Sequence, residues 1–523
     1  MRKALLVSIF SCLIHIAFGQ SDYWQQEVNY TIDVSLNDKN HTLKGNLKLD
    51  YTNNSSDELE YIWFHLWPNA YKNDQTAYAK SVLRENDGKK RWKDLKDNGY
   101  IDSLNFSVNG KQAKLEYDPQ NIDIAKLILP NPLAAGQKIT ITTPFFVKLP
   151  TYISRSGHIE QSYMVCQWYP KPAVYDSKGW HQFPYLEMGE FYSEYGSFTV
   201  NITTPSEYVI AATGVIQNAD ELNYYKQLGK ENLNTKNKKY TPQTNQPIKT
   251  VTYHQDHIHD FAWFADKDFI IEYDTMQLAS GKVIDVFAYH PGYGSALWDK
   301  GVGYIKDAVR HYSDWIGEYP YPVVQAVEGP KNLAAGGMEY PTITLITSPD
   351  SKEEYLDPVI AHEVGHNWFY SILGSNEREH AWMDEGVNTF FEFKYEAEKY
   401  RTNSIIGPAL PTELKYKSLD EFQATVYSAL AKIPMESAID LPATSYKNDE
   451  EYGIVVYVKT AIWMYIMELT EGKDKMSKAI KDYYNEWKFK HPYPEDFQMS
   501  FEKSMGKRLD QYFSMLSRTG SLE

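Results

Sequence analysis

The sequence predicts an α+β chain of more than one domain, with an N-terminal antiparallel β domain followed by a mainly helical one. Apolar residues alternate at period two through the first half, and their spacing turns helical after about residue 278. At 523 residues the chain also exceeds what one hydrophobic core ordinarily organises. Hydrophobic residues make up 42% and charged residues 23%, values of a globular chain able to fill large cores. The net charge of −16 excludes nucleic acid as the main partner, because phosphate binding needs a basic face.

At the N-terminus, Arg2 and Lys3 precede an apolar run over residues 4–18, and Ala17-Phe18-Gly19 offers small residues for cleavage before Gln20. This pattern predicts a signal peptide over residues 1–19 and export to the periplasm or beyond. The run is shorter than the roughly 20 residues that a membrane span needs. Cleavage removes Cys12 and leaves Cys166 as the one thiol, so no internal disulfide is expected. No later stretch reads as a membrane span, so none is expected in the mature chain. Oligomeric state is not legible.

In the next region, residues 20–275, Tyr30, Ile32, Val34 and Leu36 alternate with polar residues. A polar turn at residues 37–40 follows, and Leu43, Leu47, Leu49 and Tyr51 continue at period two, predicting a hairpin with one buried face. Strand character recurs at residues 61–67, 138–147 and 197–203. Residues 219–249, rich in Asn, Lys and Gln, read as an exposed insertion loop. His254, His257 and His259 read as strand-to-loop packing and not as a metal cluster. The second domain, residues 276–523, opens with a strand at 283–289. A helix follows, marked by Val302, Ile305, Val309, Tyr312 and Ile316 and ended by Gly317 and Pro320.

Within this second region stands His362-Glu363-Val364-Gly365-His366. On a helix, positions i and i+4 share a face, so both imidazoles can address one metal ion while Glu363 reaches its water. Asp357 and Pro358 read as the cap and first position of that helix. Glu385, in Trp382-Met383-Asp384-Glu385-Gly386, is separated from His366 by 18 residues, enough to end one helix and start an antiparallel second. Two His and one Glu leave a fourth zinc position open, the pattern of a catalytic site. Glu392, seven residues after Glu385, lies on the same helix face and can accept a hydrogen bond from a ligand imidazole. Ahead of the helix, Gly336-Gly337-Met338-Glu339-Tyr340 combines glycines that permit close backbone approach with a carboxylate suited to a cationic amine. Standing alone, that segment would read as a Gly-rich turn.

Together these segments resemble the membrane alanyl aminopeptidase family of gluzincin zinc metallopeptidases, which includes leukotriene hydrolase. Asp260-Phe261-Ala262-Trp263 and His491-Pro492-Tyr493-Pro494-Glu495-Asp496-Phe497 add to the resemblance, which runs from about residue 25 to the end. It implies a saddle-like β domain and a thermolysin-like catalytic domain. It also implies one zinc ion per chain on His362, His366 and Glu385, with Glu363 as general base. By the same resemblance, Glu339 binds the substrate α-amine, and Gly336 and Gly337 line the peptide as an edge strand. Tyr457 donates to the oxyanion, although Tyr457-Val458-Lys459-Thr460 lacks the family's Gly at the fourth place. Gln167, in Cys166-Gln167-Trp168-Tyr169, is lent by the β domain to the amine site. Two departures stand out. Tyr340 and Pro341 follow Glu339 where the family usually has Asn. The sequence also reaches Glu523 close to where the family's catalytic domain ends, so a more open cleft is expected.

The implied activity is zinc-dependent removal of N-terminal residues from peptides with a free N-terminus. Three alternatives share the metal core: an endopeptidase, an epoxide hydrolase and a non-catalytic peptide-binding protein. Glu339 speaks against the endopeptidase, which has no use for an amine anchor. The intact ligand set with Glu363 and Tyr457 speaks against a dead site.

Overall fold

The computed structural model describes residues 23–522 apart from 86–87, 244, 293–295, 332–335, 348–352, 404–411 and 433–435. The segment expected to be a signal peptide lies outside the described residues. The N-terminal half is β-rich and the C-terminal half helical, as the change in apolar period predicts.

The period-two residues form the expected hairpin. Glu27–Asn37 runs antiparallel to Thr42–Thr52, with Ile32 opposite Leu47 and Val34 opposite Gly45. Strand Lys138–Lys148 continues the sheet antiparallel on one side. On the other, Glu27–Asn37 pairs with Gly196–Pro205 in parallel, so the nine-stranded sheet is mixed and not purely antiparallel. Residues 219–249 are not a loop throughout. Ala219–Leu233 is a helix whose Tyr225, Leu228 and Gly229 face inward at helical spacing, with Asp220 and Glu221 favouring the positive end of its dipole. Gly229 lets it approach strand Phe269–Gln277, since a Cβ there would lie 2.5 Å from Tyr273 Cβ.

A five-stranded sheet carries the second half: Phe269–Gln277, Val283–Pro291, Val323–Glu328, Ile343–Ile346 and, at its edge, Gly337–Tyr340. The boundary expected at 275 falls inside the first of these strands. That strand pairs along its whole length with Val283–Pro291, so the second sheet begins at Phe269. The predicted helix is Gly301–Trp315. The metal-motif helix, Glu353–Phe369, starts earlier than its sequence signals suggested and contains Pro358 internally. Asp357 does not cap it. Its buried carboxylate instead accepts from Tyr395 Oη at 2.8 Å and pairs with Lys399 Nζ at 2.5 Å. One helical stretch, Asp449–Glu471, is long and apolar enough to cross a membrane by length and composition alone, and 61% of that apolar window is buried inside the protein, as in a core helix.

The two halves are fastened by buried polar groups. His491 bridges Gly374 O at 2.6 Å and Glu194 Oε1 at 3.0 Å. Tyr493 Oη donates to Asp176, and His259 Nε2 contacts Tyr370 O. Inside the β-rich half, Lys171 Nζ lies 2.7 Å from Asp260 Oδ1, both residues essentially without solvent contact. Asp260 also accepts from Gln167, Tyr169 and the Phe261 backbone. Such a pair is tolerated only while complete, since removing one partner strands a buried charge. Lys171→Met is therefore expected to destabilise the protein by about 3–5 kcal/mol, read as a lower urea midpoint with unchanged far-UV dichroism before the transition.

Candidate metal and substrate site

His362 and His366 occupy one face of Glu353–Phe369, and the second helix, Glu385–Tyr400, packs against it. His366 meets Glu385 while His362 meets Glu392, so the helices run antiparallel. Their approach is close: a Cβ on Gly365 would stand 2.2 Å from Asn388 Oδ1. Asn388 locks the contact by donating to His362 O at 2.9 Å and accepting from Tyr312 Oη at 2.7 Å.

The ligand atoms fit a zinc ion. His362 Nε2 and His366 Nε2 are 3.0 Å apart, and Glu385 Oε2 lies 3.4 and 3.2 Å from them. Atoms at tetrahedral zinc distances of about 2.0–2.1 Å are separated by about 3.3 Å, matching these edges. Glu385 Oε2 has no hydrogen-bond partner among the described residues. The other imidazole nitrogens are held: His362 Nδ1 by Glu392 Oε2 at 2.8 Å and His366 Nδ1 by Asp384 Oδ1 at 2.5 Å. These bonds leave each Nε2 available to a metal ion, the usual arrangement around zinc-binding histidines. Behind Asp384 lies Glu377, whose carboxyl is held well above its usual range by burial and then by the Asp384 charge.

Electrostatics agree with this geometry. Burial alone would lower the histidines, but carboxylates outweigh it: Glu392 and Glu385 lift His362, and Glu339 and Glu385 lift His366, each to about 10. Burial acts to raise Glu385, yet His366 and His362 hold it far below the carboxylate range. Burial pushes Glu363 and Glu339 up to about 8, against the pull of the imidazoles, and neighbouring carboxylates add to it. So many acids converging on one dry volume form a setting for cations.

Glu363 stands beside the edge strand, and a Cβ on Gly337 would be 2.4 Å from its Oε1. Glu339 is 4% exposed, and its Oε1 is without a hydrogen-bond partner among the described residues. Tyr340 points away from the cleft into the core, near Phe264 and Cys166. Tyr457 Oη donates to Glu385 Oε1 at 2.6 Å, and its ring lies along His362. Tyr457 sits in a π-helical turn, Gly453–Lys459. In an α-helix, residues five apart diverge by about 140° around the axis. The wider π-turn brings them towards one face, and Tyr452 and Tyr457 have ring centroids 5.9 Å apart.

Gln167 is not at this site. Its amide donates to Asp260 at 2.5 Å and accepts from Lys171 at 3.0 Å, committing it to the buried ion pair of the β-rich half. It does not line the cleft. The acid lent by the β-rich half is Glu190, whose carboxylate oxygen, with those of Glu339 and Glu385, forms a group within 4.8 Å of one another. Glu190 is ion-paired to Arg155, which also donates to Met338 Sδ at 2.7 Å. Gly189 delivers it: φ is +75°, and a Cβ there would be 2.5 Å from Ala443 Cβ, so residues 187–190 wedge into the helical half. Sequence reading missed Glu190, Arg155 and Asp384. Only Asp384 had a signal, its place directly before the ligand Glu385. His254, His257 and His259 form no metal group among the described residues. Asp384→Asn and Glu392→Gln are each expected to weaken zinc binding about 10–100-fold, measured by competition with a chromophoric chelator.

A model described as the peptidase family M1 domain matches residues 304–516. The chain is 32% identical over 167 residues to leucine aminopeptidase 2 of Ajellomyces capsulatus, covering 30% of this chain and 25% of that one. It is 30% identical over 191 residues to a leukotriene A-4 hydrolase homolog of Botryotinia fuckeliana, covering 34% and 27%. The matched stretch thus spans about a quarter of the length of these curated relatives. The M1 zinc metallopeptidase of Deinococcus radiodurans shares the fold at a TM-score of 0.62 and 15% identity, covering 94% of this chain and 93% of that one. Residues 304–516 are thus similar to the peptidase family M1 domain, and the chain shares its fold with an M1 zinc metallopeptidase.

Proposed function

We propose that the protein is a zinc-dependent aminopeptidase that removes the first residue from peptides with a free N-terminus. One observation carries this reading: Glu339, whose buried Oε1 has no hydrogen-bond partner among the described residues, and a second acid, Glu190, stand within 4.8 Å of the candidate ligand Glu385. An ammonium held there places its own residue's carbonyl over the ligand set, because only the Cα separates the two groups. An internal peptide bond has no charge to offer Glu339 and Glu190.

When bound, zinc supplies a Lewis acid that lowers the pKa of a water to about 7 and polarises the scissile carbonyl. Glu363, beside both the ligand histidines and the edge strand, takes the proton of the attacking water and passes it to the leaving amine. Tyr457, already aimed at the cleft by its bond to Glu385, donates to the tetrahedral oxyanion. Glu339 and Glu190 hold the ammonium by charge-assisted bonds. The Gly336–Gly337 backbone, without side chains, lets the peptide lie against the edge strand.

In an assay of aminoacyl amides and their N-acetylated counterparts, only the free-amine forms are expected to be cleaved. Glu363→Ala abolishes activity, Glu339→Ala raises KM for free-amine substrates, and Tyr457→Phe lowers kcat about 10²–10³-fold. Equal cleavage of acetylated amides rejects the amine anchor.

We also propose that residues 1–19 are a signal peptide removed on export, on the basic-then-apolar pattern of the first residues. N-terminal sequencing of the protein recovered from the cell exterior or periplasm is expected to begin at Gln20. Retention of Arg2 and Lys3 in a cytosolic fraction rejects export.

A further inference from the structure

One wall of the cleft is not used by the reaction just described. Beyond Glu339 and Glu190 it is built by Glu187 and Met188 of the wedging loop, by Tyr452 and Asp449, and by Glu85. The cavity these residues share with the ligand set measures about 430 Å³. Its charge is one-sided. Glu85, Glu187 and Asp449 are all acids; Glu85 is ion-paired to Arg91, and the cation among the residues lining the cleft, Arg155, is taken by Glu190, which leaves Glu187 and Asp449. Glu85, Glu187 and Asp449 also line an adjoining groove, where Lys80, Arg84 and Lys447 make the charge mixed.

Two buried polar atoms on this wall have no hydrogen-bond partner among the described residues: Glu187 Oε2 and the hydroxyl of Tyr452, a residue only 8% exposed. Buried acceptors left unmatched are costly. An apolar substrate side chain would leave both unmatched, whereas a guanidinium or ammonium supplies several N–H donors and the opposite charge. Position selects which substrate residue meets this wall. With the amine between Glu339 and Glu190, the first side chain leaves a Cα one bond away. The remainder of the peptide follows Gly336, Gly337 and Val359 on the other flank. The methylene stem of a long cationic side chain has Met188 to lie against.

We propose that Glu187, Tyr452 and Asp449 form the pocket for the first side chain and select peptides beginning with arginine or lysine. The proposal rests on the aminopeptidase reading and adds to it the class of substrate.

The test has two arms. Hydrolysis of arginyl, lysyl and methionyl amides, methionine being a neutral side chain of similar length, is compared in the wild-type zinc-loaded protein, Glu187→Gln and Asp449→Asn. The expected kcat/KM for Arg and Lys exceeds that for Met about tenfold or more at low ionic strength, and Glu187→Gln lowers that ratio about tenfold. Because Glu187→Gln could disturb the loop, the second arm uses the wild type alone, measuring binding of free L-arginine and L-methionine by calorimetry. Arginine binding about tenfold more tightly supports the pocket; equal binding, or equal hydrolysis of Arg and Met amides, overturns it. Absence of hydrolysis with every amide would overturn the aminopeptidase reading, while the calorimetric comparison would still decide the pocket.

Discussion

The antiparallel contact between Glu353–Phe369 and Glu385–Tyr400 is the constraint on which the cleft depends. It pairs His366 with Glu385 at one level and His362 with Glu392 at another. A slip of one helical turn, about 5.4 Å, would dissolve both pairings. The register is held by small features. Gly365 admits Asn388, which ties one helix to the His362 carbonyl and to Tyr312. Gly386 admits the π-turn, since a Cβ there would be 2.4 Å from Val456 O. Tyr457 can thereby reach Glu385, so the glycine beside the candidate ligand also sets the position of the proposed oxyanion donor.

The second theme is an excess of negative charge in a dry place. Glu190, Glu339, Glu363 and Glu385 are all nearly free of solvent contact, and Arg155 offsets only part of their charge. Isolated buried carboxylates are strongly disfavoured. Their company is sensible in a cleft suited to cations, such as the metal ion and the substrate ammonium of the proposed reaction. The same acids thus serve binding and chemistry, and the geometry keeps the roles apart. Glu385 faces the imidazoles, Glu339 and Glu190 converge where the amine is proposed to bind, and Glu363 stands by the edge strand.

The β-rich half is part of this machinery. Its loop at residues 187–190 enters the helical half and brings Glu190 beside the ligand set, and its Arg155 reaches both Glu190 and Met338. Gln167, in contrast, is consumed by the Lys171–Asp260 pair. A glutamine between a buried lysine and aspartate satisfies both without adding charge.

Local patterns in the chain determined much of this. Period two marked the hairpin of Glu27–Asn37 and Thr42–Thr52, and helical spacing marked Gly301–Trp315. The i, i+4 histidines and the Glu385–Glu392 spacing each lie within one helix, so sequence distance translated directly into spatial distance. The resemblance then pointed to Glu339, Glu363 and Tyr457, and all three line the cleft. Tertiary structure alone decided the rest. A polar composition hid the helix Ala219–Leu233, because its few inward residues suffice only once Phe269–Gln277 is there to receive them. Asp357 read as a cap because a cap signal is local, whereas its partners Tyr395 and Lys399 come from another helix. Glu190 and Arg155 carry no motif, and their place at the cleft follows from how two halves of the chain pack. Contacts between residues distant in sequence leave no period or spacing to read, and in this protein such contacts built the amine side of the site.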